Sequence, residues 1–264
     1  MKELGFIGFG EAAINFASGI TQQDPSIRMV VYDKFGISEN AKHLGVDILI
    51  EKSPEDLLTK VETIIVAIPG SLDLEMFQMI LSSYFKDKLV IDFCTAKPEH
   101  KLEISKIVDS VGGYYVDVAA LGSFPALKHK VPMLISGKGS EKMMLTFSDF
   151  GLNLKVMSDK AGDAMVVKLC RSIYMKGLAA LAIEMTEVSE AYGVKEQVWA
   201  SLAESMDNDQ FMVYTPRLIN GTIRNLLRRT KEVEECIDLI TKVGKNGTMT
   251  EATHRLYKSL IINN

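Results

Sequence analysis

Lys168, Ser172 and Lys176 are spaced i, i+4 and i+8, which sets three side chains on one face of a helix, and Arg171 lies one step around from them. Lys168 stands among Met165, Val166, Val167 and Leu169, apolar neighbours that disfavour an ammonium by desolvation. A lysine held this way can exchange a proton with a hydroxyl near neutral pH. The same side chain can also run its stem along apolar surface and leave its head in water, and periodicity alone does not choose. Arg171 and Lys176 read equally as partners for a carboxylate or phosphate, which a guanidinium pairs bidentately, or as members of an interdomain salt bridge.

A second constellation opens the chain. Leu4, Gly5, Phe6 and Ile7 form a short apolar run that feeds Gly8-Phe9-Gly10-Glu11-Ala12-Ala13, a G-x-G-x-x-A turn. A helical stretch, Ala12 to Ile20, follows, and the next apolar run, Met29 to Tyr32, ends in Asp33. Each part has a physical task in a dinucleotide fold. Gly8 permits the tight turn, and Gly10 leaves the backbone N–H groups at the start of the helix, from Phe9 through Glu11 and Ala12, open to a pyrophosphate. Ala13 lets the helix lie close on the strand. Asp33, 23 positions beyond Gly10, is placed to accept from a ribose 2′-hydroxyl. Its charge disfavours a 2′-phosphate, so NAD is preferred over NADP, while Lys34 beside it weakens that preference.

These groups need a frame. Up to about residue 158, short β-branched runs (Val30 to Asp33, Val46 to Ile50, Thr63 to Ile68, Leu89 to Phe93, Tyr114 to Val118) alternate with helical stretches. The helices are expected over Ser38 to Leu44, Pro54 to Val61, Leu72 to Tyr84 and Pro98 to Val111. That rhythm indicates an α/β fold with a doubly wound parallel sheet, and Val131 to Ser136 and Leu152 to Met157 read as two further strands. Ligands of such sheets collect at the carboxyl ends of the strands, which places Ile68, Pro69, Cys94 and Thr95 beside a cofactor. Cys94 there is either a reactive thiol or a small side chain the loop tolerates, and no sequence feature supplies the cation that reactivity needs.

Beyond residue 158 the pattern changes. Ala161 to Tyr192 carries an apolar stripe at helical spacing, with further apolar residues on other faces, and reads as one long helix buried on more than one side and stopped at Gly193. The rest reads as shorter helices with breaks near Thr215-Pro216, Asn220-Gly221 and Gly244 to Gly247. The expected organisation is a dinucleotide-binding domain over 1–158 and an all-helical substrate and dimerisation domain over 159–264.

Of the 264 residues, 47% are apolar and 24% charged, and the net charge of −4 gives no reason to expect nucleic acid or an anionic membrane as partner. No apolar run reaches the ~20 residues of a membrane span. The first strand begins almost at residue 1, so no leader peptide is expected, and the three cysteines show no paired spacing. Together these suggest reduced thiols in a cytoplasmic protein. The four histidines are scattered, so no metal site is expected.

Four stretches resemble the β-hydroxyacid dehydrogenase family, which includes 3-hydroxyisobutyrate dehydrogenase and the cofactor domain of phosphogluconate dehydrogenase. They are Gly5 to Gly10; Asp92 to Pro98, similar to D-x-S-T-x-x-P with Cys94 for serine; Asp117 to Ser123, a loose D-A-P-V-S-G-G; and Gly162 to Ser172, similar to G-x-G-x-x-x-K-x-x-N-N. The resemblance implies a catalytic role for Lys168 and contact of Gly122 and Ser123 with a substrate carboxylate. It puts Arg171, Ser172 and Lys176 where the family's substrate-orienting asparagines stand. The departures, Ala164 for glycine and Arg171-Ser172 for the asparagine pair, are closer to a subgroup whose helical domain is of unknown function. The implied activity is hydride transfer between NAD or NADP and a small acidic hydroxy compound, in a homodimer built through the helical domain. An imine reductase on the same scaffold and a non-catalytic dinucleotide-binding redox sensor are the alternatives.

Overall fold

A computed structural model describes residues 2–38, 41, 47–207 and 210–262. Two compact units divide it, Met1–Arg171 and Ser172–Asn264. In the first, β1 (Glu3–Ile7) is buried at every residue after Glu3. Both faces of the strand are covered, which is why it is an unbroken apolar run rather than an alternating one. The chain continues through α1 (Glu11–Gln23), β2 (Arg28–Tyr32), β3 (Ile48–Ile50), α2 (Pro54–Leu58), β4 (Thr63–Val66), α3 (Asp73–Met79), β5 (Leu89–Asp92) and α4 (Pro98–Asp109). After these come β6 (Tyr114–Ala120), the one-turn α5 (Phe124–Leu127), β7 (Met133–Ser136), α6 (Ser140–Thr146) and β8 (Leu154–Ser158). The helix expected over Ser38 to Leu44 lies largely outside the described residues.

The strands form one sheet in the order β3-β2-β1-β4-β5-β6-β7-β8. The chain winds outward from β1 to β3, then resumes on the other side of β1 with β4, so a crevice opens at the carboxyl ends of β1 and β4. All pairings from β3 to β6 are parallel, while β7 runs antiparallel to β6 and β8 parallel to β7. The doubly wound, mostly parallel sheet expected from the sequence is present, and its one antiparallel pairing, β6 with β7, is a feature the sequence did not indicate. Between Ala120 and Met133 lie only α5 and a 3-10 turn, too little for a crossover helix.

Two apolar layers sandwich the sheet. Phe6, Val31, Ile65, Ile91 and Val116 face one way and pack with Phe16 and Ile20 of α1. Ile7, Val30, Ile64, Val66 and Val90 face the other way with Phe77, Phe85 and Tyr115. Consecutive strand residues serving opposite layers is the period of two made visible. The single helix expected over Leu72 to Tyr84 is instead α3 followed by a 3-10 turn, Ser82–Phe85. Ile80 is extended (φ −84°, ψ 133°), and past that kink the Phe85 ring meets Phe77 at 5.3 Å.

The helix that opens at Asp163, α7 (Asp163–Ala191), continues into the second unit, which adds α8 (Lys195–Met206), α9 (Phe211–Arg224), α10 (Leu226–Lys242) and α11 (Thr248–Ile262). The breaks expected at Pro216 and Gly221 are not present, since α9 runs through both. Proline early in a helix removes one hydrogen bond and an interior glycine costs about 1 kcal/mol. The helix absorbs both and ends at Asn225, whose side-chain amide donates to the Gly221 carbonyl at 2.8 Å. Inside this unit Glu184 of α7 caps α11, accepting from the Met249 N–H at 2.8 Å and the Thr250 N–H at 3.0 Å. The expectation that α7 is buried on more than one side is corrected: Ile173, Met175 and Ile183 are exposed along its middle. No described helix is long and apolar enough to cross a membrane.

Phe16 is wholly buried, with Phe93 edge-on at 5.1 Å and Phe147 at 6.1 Å. Phe16→Ala should cost about 3–5 kcal/mol of unfolding free energy, measured by urea denaturation.

Candidate active site

The glycine turn is built by close approach. Gly8 has φ +84°, and a Cβ there would lie 2.5 Å from the Ala67 carbonyl oxygen of the neighbouring strand's end. Gly10 is the N-cap of α1, no side chain caps that end, and a Cβ on Gly10 would meet nothing within 4 Å. Free N–H groups at a helix start, facing open space, suit a phosphate: the amides donate and the macrodipole favours negative charge. Asp33 is tied to the same turn, its Oδ2 accepting from the Phe9 N–H at 2.8 Å and its Oδ1 from the Phe35 N–H at 2.9 Å. Each oxygen keeps a further lone pair for a sugar hydroxyl.

Gly8, Gly10, Asp33, Lys34, Ile68 and Pro69 line one cleft of about 590 Å³, the size of a small-molecule site. Five residues named from the sequence as cofactor contacts therefore converge: Gly8, Gly10, Asp33, Ile68 and Pro69. The other five stand differently. The Phe9 side chain is buried in the core, Glu11 and Ala12 form the first turn of α1, and Cys94 is buried. The Cys94 thiol accepts from the Ile68 N–H at 3.4 Å and donates to the Val66 carbonyl at 3.7 Å. Burial pushes its pKa well up, with Asp92 and Asp73 adding, so this is a packed thiol rather than a nucleophile.

Thr95 follows it and is exposed. Lys168 Nζ donates to Thr95 Oγ1 at 3.0 Å, joining residues 73 positions apart within the first unit. Burial lowers the Lys168 pKa, Lys101 lowers it further, and Asp117 opposes both. Gly122 and Ser123 follow the end of β6 and are exposed, as is Arg171 on α7. Ser172 and Lys176 belong to the second unit.

Sequence reasoning missed what lies beneath the strand ends. Asp73, Asp92, Lys101, Tyr115 and Asp117 are all fully buried. Lys101 Nζ reaches Asp92 Oδ2 at 2.6 Å and Asp73 Oδ2 at 3.1 Å, and the Tyr115 hydroxyl donates to Asp92 Oδ2 at 2.5 Å. Burial works against the Lys101 ammonium, but Asp92 and Asp73 outweigh it and hold its pKa above the ordinary lysine value. Asp73 is pushed up to about 7 by burial and by Asp92, with Lys101 pulling the other way. The available signal was periodicity: Lys101, Ile104, Ser105 and Val108 share the buried stripe of α4. Among the described residues, Asp73, Asp92 and Cys94 are the group whose spacing suits a metal, but the Lys101 ammonium already supplies a cation to both carboxylates.

Comparison with known proteins agrees with this frame. Residues 3–96 match the family described as NADP oxidoreductase, coenzyme F420-dependent, and residues 189–260 match Domain of unknown function (DUF1932). An uncharacterized 28.5 kDa protein of Methanothermus fervidus is 26% identical over 257 residues, 97% of this chain and 98% of that protein. Mitochondrial 3-hydroxyisobutyrate dehydrogenase of Rattus norvegicus is 24% identical over 196 residues, 71% of this chain and 55% of that protein. The match thus spans about half the dehydrogenase. A reductive aminase from Aspergillus terreus, solved with NADPH and ethyl-5-oxohexanoate, has a TM-score of 0.83 over 100% of this chain and 95% of that one, at 15% identity, which is a likeness of fold. The two matched stretches thus place an NADP oxidoreductase model and a domain of unknown function in one chain, and 3-hydroxyisobutyrate dehydrogenase is similar over part of its length.

The native state holds the Asp73 proton more tightly than the unfolded chain, whose value is 3.8. Its contribution to stability is therefore full below that value and lost as pH rises through about 7. Asp73→Asn should flatten the fall in unfolding free energy across that interval, seen by urea denaturation at several pH values.

Proposed function

We propose that the protein is a nicotinamide-dinucleotide-dependent dehydrogenase or reductase that interconverts a small acidic hydroxy compound and its oxo form. The hydrogen bond from the partly desolvated Lys168 amine to Thr95, at the carboxyl edge of the same sheet that carries the glycine cleft, supports this reading best. When bound, the dinucleotide supplies or accepts the hydride at the substrate carbon. The first-turn N–H groups of α1 after Gly10 would hold its phosphates, Asp33 its ribose hydroxyls, and Ile68 and Pro69 would flank it. The charge of Asp33 disfavours a 2′-phosphate and makes NAD the preferred cofactor over NADP, with Lys34 as the counterweight.

Lys168 is the acid and base. Its amine takes the proton from a substrate hydroxyl as the carbonyl forms, and returns it in the reverse direction. Thr95 Oγ1 accepts one of its hydrogens and fixes its direction. Gly122 and Ser123, after β6, and Arg171, on α7, are assigned to the acidic group of the substrate. Residues 159–264 then form the substrate and dimerisation domain. Within the second unit Met212, Val213, Ile219, Ile223 and Leu227 are all exposed, more apolar surface than a solvated bundle normally leaves bare. Covering it against a second copy of the chain is the proposed assembly.

Oxidation of NADH and NADPH by a panel of small oxo acids, each with and without ammonium, tests the reading. Turnover without ammonium supports oxo-acid reduction, and turnover that requires it replaces this with imine reduction. Lys168→Ala should cut kcat by about 10²–10⁴-fold while dinucleotide affinity stays within about twofold, and undiminished turnover removes Lys168 from the chemistry. Light scattering should give twice the 29.3 kDa chain mass; a strict monomer contradicts the assembly.

A further inference from the structure

The backbone at the start of α7 is largely buried: Ala161, Gly162, Ala164 and Met165 are buried and only Asp163 between them is partly exposed. Such an end must find acceptors for its N–H groups inside the protein. Two side chains on neighbouring antiparallel strands supply them. Asp117 of β6 and Ser136 of β7 are paired in register. Asp117 Oδ2 accepts from the Gly162 N–H at 3.1 Å, the Met165 N–H at 3.2 Å and the Ser136 hydroxyl at 3.2 Å. Ser136 Oγ in turn accepts from the Ala164 N–H at 3.1 Å. Gly162 makes this approach possible, with φ +97° and only 2.7 Å between a would-be Cβ and the Pro98 carbonyl oxygen.

Lys168 lies one helical turn past Met165. Where its amine stands is therefore decided by where the first turn of α7 is fastened. We infer that Asp117 is a positioning residue for Lys168: by holding the N–H groups of Gly162 and Met165 it fixes the turn from which Lys168 reaches Thr95. This rests on the reading of Lys168 as acid and base. The carboxylate also meets the positive end of the helix dipole, and its Oδ1 is buried without a hydrogen-bond partner. The titratable groups that act on Lys168 are Lys101 on α4, Asp117 on β6 and the Cys94 thiol after β5, with Asp73 and Asp92 behind Lys101. Among them Asp117 is the carboxylate that favours the Lys168 ammonium. Burial raises Asp117 itself to about 6 against the pull of Lys101, so it carries charge at neutral pH.

Two variants separate place from charge. Asp117→Asn keeps an oxygen that can accept from the Gly162 and Met165 N–H groups and loses the charge, whereas Asp117→Ala loses both. The readouts are trace acetylation of the Lys168 amine against pH by mass spectrometry, NADH affinity, and kcat with KM. For Asp117→Asn the acetylation midpoint should move to lower pH, with NADH affinity within about twofold. For Asp117→Ala, kcat should fall about 10²-fold, the cost of a roughly 1 Å misplacement of a reacting group, again with NADH retained. A kcat about 10²-fold down in Asp117→Asn, which keeps the acceptor for the helix N–H groups, overturns the inference, even if Asp117→Ala does not fold. Unchanged kcat in a folded Asp117→Ala overturns it too. If Lys168→Ala is fully active while the Lys168 acetylation midpoint differs between Asp117→Asn and Asp117→Ala, the positioning role stands and the proposed reaction falls.

Discussion

A single buried ammonium organises the carboxyl edge of this sheet. Lys101 reaches Asp73, which opens α3 after the Ile68–Leu72 loop, and Asp92, which closes β5, while Tyr115 of β6 donates to the same Asp92 oxygen. The start of α3, which lines the cleft, is thereby tied to the end of β5 and to β6 at one buried point. From Asp92 the tie runs on: its Oδ1 accepts from the Cys94 N–H at 2.9 Å, and the next residue, Thr95, receives Lys168. Such a cluster adds little net stability relative to apolar packing, yet losing one member costs about 3–5 kcal/mol because a charge is left buried and unpaired. Its effect here is geometric: it allows one arrangement of the loops.

The first unit holds both groups on which the proposed reaction rests. Bare amides at the start of α1 face open space beside Asp33, and a half-buried lysine stands on the same side of the sheet, held by Thr95. Two helix starts are used in opposite ways. That of α1 is left uncapped, so its N–H groups remain available to a phosphate. That of α7 is closed by Asp117 and Ser136, so its turn is fixed and Lys168 has a firm base. Asp117 and Lys101 then act on the Lys168 amine with opposite sign, and burial sets the overall direction.

Much of this was legible in the chain. The run from Leu4 to Ala13 gave strand, turn and helix, with Asp33 brought to the same turn, because the residue types there answer to local backbone geometry. Lys168 was legible through its helical spacing and through resemblance. What could not be read depends on residues distant in sequence. Asp92 and Asp117 sit in recognisable stretches, but their partners, Lys101, Gly162 and Met165, are fixed only once β5, β6 and α4 pack. The reversal of β7 follows from a connection too short for a crossover, whereas α9 runs through Pro216 although none of its residues is buried. The apolar middle of α7 was read as core because periodicity records what a face avoids and not what covers it.

The most direct measurement is a crystal structure of the protein with NADH and a small hydroxy acid. The expected result has the Lys168 amine within hydrogen-bonding distance of the substrate hydroxyl, Thr95 as its other partner, and the cofactor phosphates against the first turn of α1. A Lys168 amine turned to solvent, beyond the reach of one bridging water from the substrate hydroxyl, contradicts it.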